Sequence, residues 1–235
     1  MPELTDALSP RYDVAAAVHQ LAERDPILAS LIAHAGPCPL APRPGEPYAH
    51  LVRSITSQQV STGAARTIYG RLTDLLSIHG DPNDPATLAS LDLDTLRTAG
   101  VSRSKAISMH DLAAKSMEGT VPNRAAMEPM DDQELVERLT NVRGIGVWTA
   151  HMLLLFTLHR PDVLPLGDLA VRQGFALVYG GPDAGASRGW QSEKALKAAL
   201  TAHADAYWKP WRSVGSWYLW RGYEAVRAGL WAPPI

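Results

Sequence analysis

The stretch LTNVRGIGVWTA, residues 139–150, carries two glycines one residue apart, Gly144 and Gly146, with Arg143 before them and an apolar run after them. Glycines at that spacing let a backbone turn approach another molecule closely and aim its N–H groups outward. Amides at a helix N-terminus, reinforced by the helix dipole, bind an anion such as a phosphate without any charged side chain. Arg143 would add a direct contact. From the pattern alone, a glycine cap between two packed helices accounts for the same residues equally well. A dinucleotide-binding loop does not, because Thr149 stands where the third glycine would be and a helix precedes the turn. Further on, LPLGD at 164–168 sets Asp168 after Pro165 and Gly167 and ahead of the apolar-periodic segment Leu169–Tyr179, which puts this carboxylate at the start of a helix. An isolated aspartate there reads first as an N-cap.

Other chemistries find little support. Eight histidines are scattered without metal-ligand spacing, and His151 and His159 lie two turns apart on an apolar segment, where they read as core residues. The lone Cys38 excludes an intramolecular disulfide, a multi-thiolate metal site and an iron–sulfur cluster. Neither a GxSxG nor a P-loop occurs. No metal-ligand set is assigned.

The elements that must hold these residues are helical. Leu51, Ile55, Ala65, Ile68, Leu72 and Leu75 fall mostly at three- or four-residue steps along one stripe, and strand signals are scarce, so the class is all-α. Gly100 and Gly119 sit where helices should stop, and Ser102 is a plausible N-cap. From Asp131 a helix with Leu135, Val136, Leu139 and Val142 on its apolar side runs into the glycine turn, and a buried helix is expected from Val147 to Leu158. A helix-turn-helix unit at about 132–158 results. A glycine-rich loop is expected at 180–189, then two more helices, the last opened by Pro210 and carrying Trp211, Trp217, Tyr218 and Trp220. The prolines between Pro37 and Pro47 mark one boundary, giving two helical lobes: 47–160, and 1–46 joined by 161–235.

With 235 residues, 46% of them apolar, the chain can bury a sizeable core. Its formal charge of −2 announces no polyanionic partner, so any nucleic-acid surface must be local. The first residues, MPELTDALSPRYD, do not form a secretory signal, and no apolar run reaches the ~20 residues that span a bilayer, so a cytoplasmic compartment without membrane partners is expected.

In order along the chain, VRGIGVWTA, then LPLGD ending at Asp168 twenty residues after Trp148, then WKPWRS at 208–213 resemble the helix-hairpin-helix (HhH-GPD) superfamily of DNA glycosylases. The 3-methyladenine DNA glycosylase II branch is the nearest in pattern. Upstream, ITSQQVSTGAA at 55–65 resembles the helix and loop through which that family penetrates the duplex, so the likeness covers roughly residues 45–225.

The resemblance implies a fold of two helical lobes flanking a DNA-binding and active-site cleft. It implies a monofunctional enzyme of base excision repair that flips out alkylated purines, 3-methyladenine and 7-methylguanine, and hydrolyses their N-glycosidic bonds. Asp168 matches the family's catalytic aspartate, whose carboxylate can stabilise an oxocarbenium-like transition state or orient the attacking water. Trp148 stands where the bifunctional glycosylase-lyases hold their Schiff-base lysine, so no lyase step is expected. Trp148 and Trp220 match aromatic pocket positions, and Met152 stands where another pocket aromatic is usual. Gln59 occupies the place of the wedge, usually a leucine, with Gln58 beside it. Gln58, Gln59, Arg143, Gly144, Gly146 and Thr149 are the residues the likeness places on DNA. Arg172 would pair with Asp168 or a phosphate, and Lys209, Arg212, Arg103 and Lys105 are candidates for the backbone. Double-stranded DNA containing damaged bases is the implied partner, with no obligate protein partner and a monomer sufficing. No cofactor is implied beyond a monovalent cation at the DNA-bound hairpin. The rival readings are a non-catalytic lesion-binding protein and a glycosylase for another damaged base.

Overall fold

Polar residues that accept a backbone N–H recur just ahead of apolar-periodic segments, and each starts a helix. Asp13, Asp25, Ser61, Asp84, Asp92, Ser102, Asn123, Asp131, Asp168 and Ser192 all cap in this way. The computed structural model describes residues 9–180 and 192–234, and among them there is no strand. In chain order the helices are α1 (Val14–Arg24), α2 (Pro26–Ala35), α3 (Pro47–Ser57), α4 (Thr62–His79), α5 (Pro85–Ala89), α6 (Leu93–Thr98) and α7 (Arg103–Met117). There follow α8 (Arg124–Met127), α9 (Asp132–Thr140), α10 (Val147–Met152), a π-helical segment π1 (Leu153–Thr157), α11 (Leu169–Tyr179), α12 (Glu193–His203), π2 (Ala204–Trp208) and α13 (Arg212–Arg227). Beyond Gly180, the expected glycine-rich loop lies outside the described residues. No helix among those described is long and apolar enough to cross a membrane.

The chain divides into two compact units, residues 44–153 and residues 1–43 with 154–235. In the continuous unit α7 is the central element: α3, α5 and α6 pack on it, and Ala106, Met109, Leu112 and Ala113 present its fully buried face. Leu135 and Leu139 of α9 and Ala150 of α10 are also fully buried, fixing the pair of helices around the glycine turn.

The discontinuous unit is built on α11 against α13, with α1, α2 and α12 around them. A Cβ on Gly174 would collide with the carbonyl oxygen of Leu219, and one on Gly222 would come within 2.7 Å of Val178 and 2.9 Å of Leu31, so the helices meet at backbone distance. At the other end of this core Asp25, 2% exposed, ties the chain termini together. Its Oδ2 accepts from Tyr179 Oη at 2.7 Å, His203 Nε2 at 2.7 Å and Trp208 Nε1 at 2.9 Å, and its Oδ1 accepts from the Leu28 amide at 3.0 Å. Burial works to raise its pKa, but these bonds, that from His203 foremost, outweigh it and hold the carboxyl at about 2.

Two expected elements differ. The single buried helix from Val147 to Leu158 is instead α10 followed by π1, and its first turn is in the open, with Val147 52% and Trp148 45% exposed. The last helix opens at Arg212 rather than Pro210, because Trp211 is not helical (φ −113, ψ 31) and the Arg212 guanidinium is held by Asp162 at 2.6 Å.

A carboxyl whose pKa falls on folding contributes stability in full above its unfolded value, and loses it as pH drops through the folded one. Lowering Asp25 from 3.8 to about 2 corresponds to about 2 kcal/mol. Urea midpoints followed from neutral pH to pH 2 should therefore show a larger acid loss in the parent than in Asp25→Asn. The variant itself should be less stable at neutral pH by about 2 kcal/mol, since one amide oxygen cannot satisfy three converging donors. An equal acid loss in both proteins would assign it to other groups.

Candidate active site

In the discontinuous unit, the segment leading to Asp168 is anchored before it reaches the helix. Ser213 Oγ donates to the Arg160 carbonyl at 2.6 Å and accepts from the Val163 amide at 3.0 Å, while Arg212 grips both carboxylate oxygens of Asp162 at 2.6 and 2.9 Å. The Asp168 amide closes a turn onto the Pro165 carbonyl at 2.8 Å. Asp168 then caps α11: its Oδ1 accepts from the Val171 amide at 2.9 Å and from the indole Nε1 of Trp220, on α13, at 3.0 Å. The carboxylate is half-buried, and Gly167 and Leu169 on either side are exposed.

Trp220, expected as a pocket aromatic, thus orients Asp168 through its N–H, and its ring stacks on Phe156 with centroids 5.5 Å apart. The Arg43 guanidinium lies over the other partner of that stack, 4.6 Å from the Phe156 centroid. Asp168, Trp220, Phe156 and Arg43 therefore form one contiguous string. Phe156 and Arg43 were not among the expected site residues. Phe156 sits in an apolar run where nothing distinguishes it from core, and it is the π-helical register of π1 that leaves it half-buried between buried neighbours. Arg172 does not reach Asp168; it donates to the Leu166 carbonyl at 2.8 Å and faces Glu193 at 3.7 Å.

In the continuous unit, Gly144 turns the chain with φ +78, where a Cβ would lie 2.8 Å from Ser108 Oγ. The Arg143 amide donates to Asp111 Oδ2 at 2.7 Å, and Lys115 bridges that carboxylate at 2.9 Å and the Asn141 carbonyl at 2.5 Å. Burial opposes the ionised Asp111, but the Arg143 amide and the Lys115 ammonium outweigh it and hold its pKa below the usual carboxylate range. Gly146 starts α10 without a side-chain cap. A Cβ on it would meet nothing within 4 Å, so its openness serves no internal contact. Arg143, Gly144, Gly146 and Trp148 are exposed, whereas Thr149, expected on the same surface, is 5% exposed and its side chain belongs to the core. Met152 is half-buried, and burial pushes the His151 pKa down, as befits a histidine lodged in the protein.

The turn after α3 adjoins this hairpin. Gln58 Nε2 donates to the Gly144 carbonyl at 2.9 Å, and exposed Gln59 takes the left-handed conformation, φ 57, which places it at the tip. Lys105 closes the end of α3 by donating to the Thr56 carbonyl at 2.8 Å. Lys209 pairs with Asp205 at 3.1 Å, as does Arg212 at 3.0 Å. These three cations, considered from sequence for phosphate contacts, hold the fold itself.

Comparison with known proteins agrees with the expected resemblance. The profile of the HhH-GPD superfamily base excision DNA repair proteins matches residues 52–200. A Schizosaccharomyces pombe DNA-3-methyladenine glycosylase 1 is 33% identical over 176 residues, which is 75% of this chain and 72% of that protein. The crystal structure of a DNA-3-methyladenine glycosidase from Bacillus halodurans superposes with a TM-score of 0.78 at 31% identity, covering 90% of this chain and 91% of that one. The S. pombe 3-methyladenine DNA glycosylase Mag1 in complex with abasic DNA gives a TM-score of 0.68 at 30% identity, covering 88% and 95%.

The two hairpin glycines should separate in a stability measurement. Gly144→Ala forces a left-handed alanine against Ser108 and should cost about 1–3 kcal/mol. Gly146→Ala, with φ −101 and open space, should cost under about 1 kcal/mol. Urea denaturation of both variants checks this, and equal losses would contradict the difference in their roles.

Proposed function

The chain belongs to the HhH-GPD superfamily of base excision DNA repair proteins, and from that membership we propose that it is a DNA glycosylase that hydrolyses alkylated bases from duplex DNA, 3-methyladenine and 7-methylguanine among them. The observation that carries the mechanism is the Asp168 carboxylate, held at the head of α11 by a backbone amide and the Trp220 indole. In hydrolysis the C1′–N bond breaks with its electron pair leaving on the base, and a water oxygen adds to C1′ and gives up a proton to surrounding solvent. Positive charge grows on the sugar as the bond opens. A carboxylate already oriented by two hydrogen bonds stabilises that charge without reorganising. A cationic alkylpurine departs as a neutral base, so no strong general acid is called for.

Trp148 supports hydrolysis without strand cleavage, because an indole cannot form the Schiff base a lyase needs. Its exposed ring offers a face to a cationic base, a contact on the order of 0.5–2 kcal/mol. On the continuous unit, the uncapped amides following Gly146 and the absence of any internal reason for that glycine support close approach by a DNA phosphate. A monovalent cation there would be ligated by backbone oxygen. The carbonyl of Ile145, which meets no donor among the described residues, and that of Gly144, which accepts from Gln58, would hold such an ion, and it would supply positive charge for a phosphate.

Purified protein and Asp168→Asn should be compared for base release from methylated duplex DNA, with products analysed before and after alkali. The parent should release 3-methyladenine and 7-methylguanine and show strand breaks only after alkali, while the variant loses at least ~100-fold in rate. Release of 8-oxoguanine but of no methylated base would overturn the substrate assignment, and binding without turnover by both proteins would leave a lesion-binding protein.

Trp220→Phe keeps an aromatic ring against Phe156 but removes the donor to Asp168. It should lower single-turnover rate ~10–100-fold with little change in DNA affinity. A loss of affinity at unchanged rate would instead make Trp220 a base-binding residue.

A further inference from the structure

A cleft of about 210 Å³ opens in the continuous unit between the second half of α3 and the first turns of α4, lined by Arg53, Ser57, Val60, Thr62, Ala65, Arg66 and Tyr69. We propose that this cleft is a second DNA-backbone site, in which Arg53 and Arg66 hold a phosphodiester beside the point where the Gln58–Gln59 turn enters the duplex. The inference rests on the DNA-glycosylase reading and adds to it a contact separate from the glycine hairpin.

The cleft is cationic in a chain that is not. No carboxylate lines it, and neither arginine is in an ion pair among the described residues. Four arginines elsewhere are paired with carboxylates: Arg97 with Asp94, Arg138 with Glu134, Arg212 with Asp162 and Arg221 with Glu224. Arg53 is set against the Tyr69 ring, 5.6 Å from its centroid, which limits where its guanidinium can go without neutralising it. The floor adds to the positive potential. Thr62 and Ala65 belong to the first turn of α4, an 18-residue helix whose N-cap Ser61 accepts only from the Ala64 amide in that turn. Nothing stands within 4 Å of where a Cβ on Gly63 would be, so that turn is open to an approaching group.

Position identifies the anion. Ser57 and Val60 flank the Gln58–Gln59 turn and also form the cleft wall, while Gln58 itself is bonded to the hairpin through Gly144. The turn therefore stands between two features suited to phosphate: the hairpin amides on one side and this arginine pair on the other. A duplex entered at Gln59 carries backbone to either side of it. Planar guanidinium groups recognise phosphate oxygens in a way a solvated lysine face does not.

The test uses the full chain, a labelled duplex bearing a tetrahydrofuran abasic analogue, and Arg53→Gln/Arg66→Gln, with affinity measured over a salt series. Neutralising one phosphate contact changes the slope of log affinity against log salt by about 0.9. The double variant should lose about one to two units of slope and at least ~10-fold in affinity at low salt, with its melting temperature unchanged and its single-turnover base release from saturating methylated duplex unchanged. Arg53→Lys/Arg66→Lys should recover most of the slope. Neutral methylphosphonate linkages scanned on both strands near the abasic site should weaken the parent at one or two positions and leave the double variant indifferent there. An unchanged slope, or equal sensitivity of both proteins at every linkage, would overturn the site. Because the salt slope and the linkage scan read binding alone, a parent that binds DNA but releases no base would sink the glycosylase reading and still decide the cleft. A parent that binds no DNA would sink both.

Discussion

The contact of α11 with α13 is the constraint on which the half that holds Asp168 depends. At Gly174 the two helices touch through backbone, and Gly222 admits Val178 and Leu31 where a side chain would stand. Close-packed surfaces of this kind have few alternative registers. Leu219, whose carbonyl faces Gly174, immediately precedes Trp220, and Gly174 follows Asp168 on the same helix. The crossing therefore sets the separation of indole and carboxylate, and the 3.0 Å bond between them follows from helix packing more than from any freedom of the side chains. Positioning that precise is what electrostatic catalysis requires, because a group that must move at the moment of reaction loses much of its effect.

Charge is distributed in the same economical way. Much of the basic content is committed inside the fold: Lys105 to a helix end, Lys115 to the hairpin, Lys209 and Arg212 to Asp205 and Asp162. On the proposed reading, binding to a polyanion falls to backbone amides at a helix start that no side chain caps and to Arg53 and Arg66. A net charge of −2 and a DNA partner are compatible because the potential that matters is local and falls away within about a Debye length.

Much of this was legible in the residues. Helix starts were visible because Ser102, Asp131 and Asp168 are short polar acceptors placed ahead of apolar periodicity, and the hairpin was visible because two glycines interrupt it. What could not be read depends on distant partners. Trp220 and Asp168 are 52 positions apart, so nothing local says that the indole nitrogen would point at the carboxylate. Arg172, one turn from Asp168, had the right spacing for a pair and found the Leu166 carbonyl and Glu193 instead. The widening of the helix at Leu153, which turns Phe156 out of the core, leaves no mark in an apolar run. Thr149 was assigned to the surface with its neighbours, yet the first turn of α10 rotates it inward.

The Asp25 cluster bears on how the chain comes to be folded as it is made. The partners of this carboxylate lie 154, 178 and 183 residues further along. On a ribosome, residues 44–153 emerge as one uninterrupted stretch, whereas α1 and α2 must wait for Tyr179, His203 and Trp208, more than 150 residues further on. The hairpin-bearing half can thus be assembled before the half that holds Asp168. A chain broken off before Trp208 would leave the Asp25 carboxylate without its full set of donors, so closure of the half that holds Asp168 waits until Trp208 has been made.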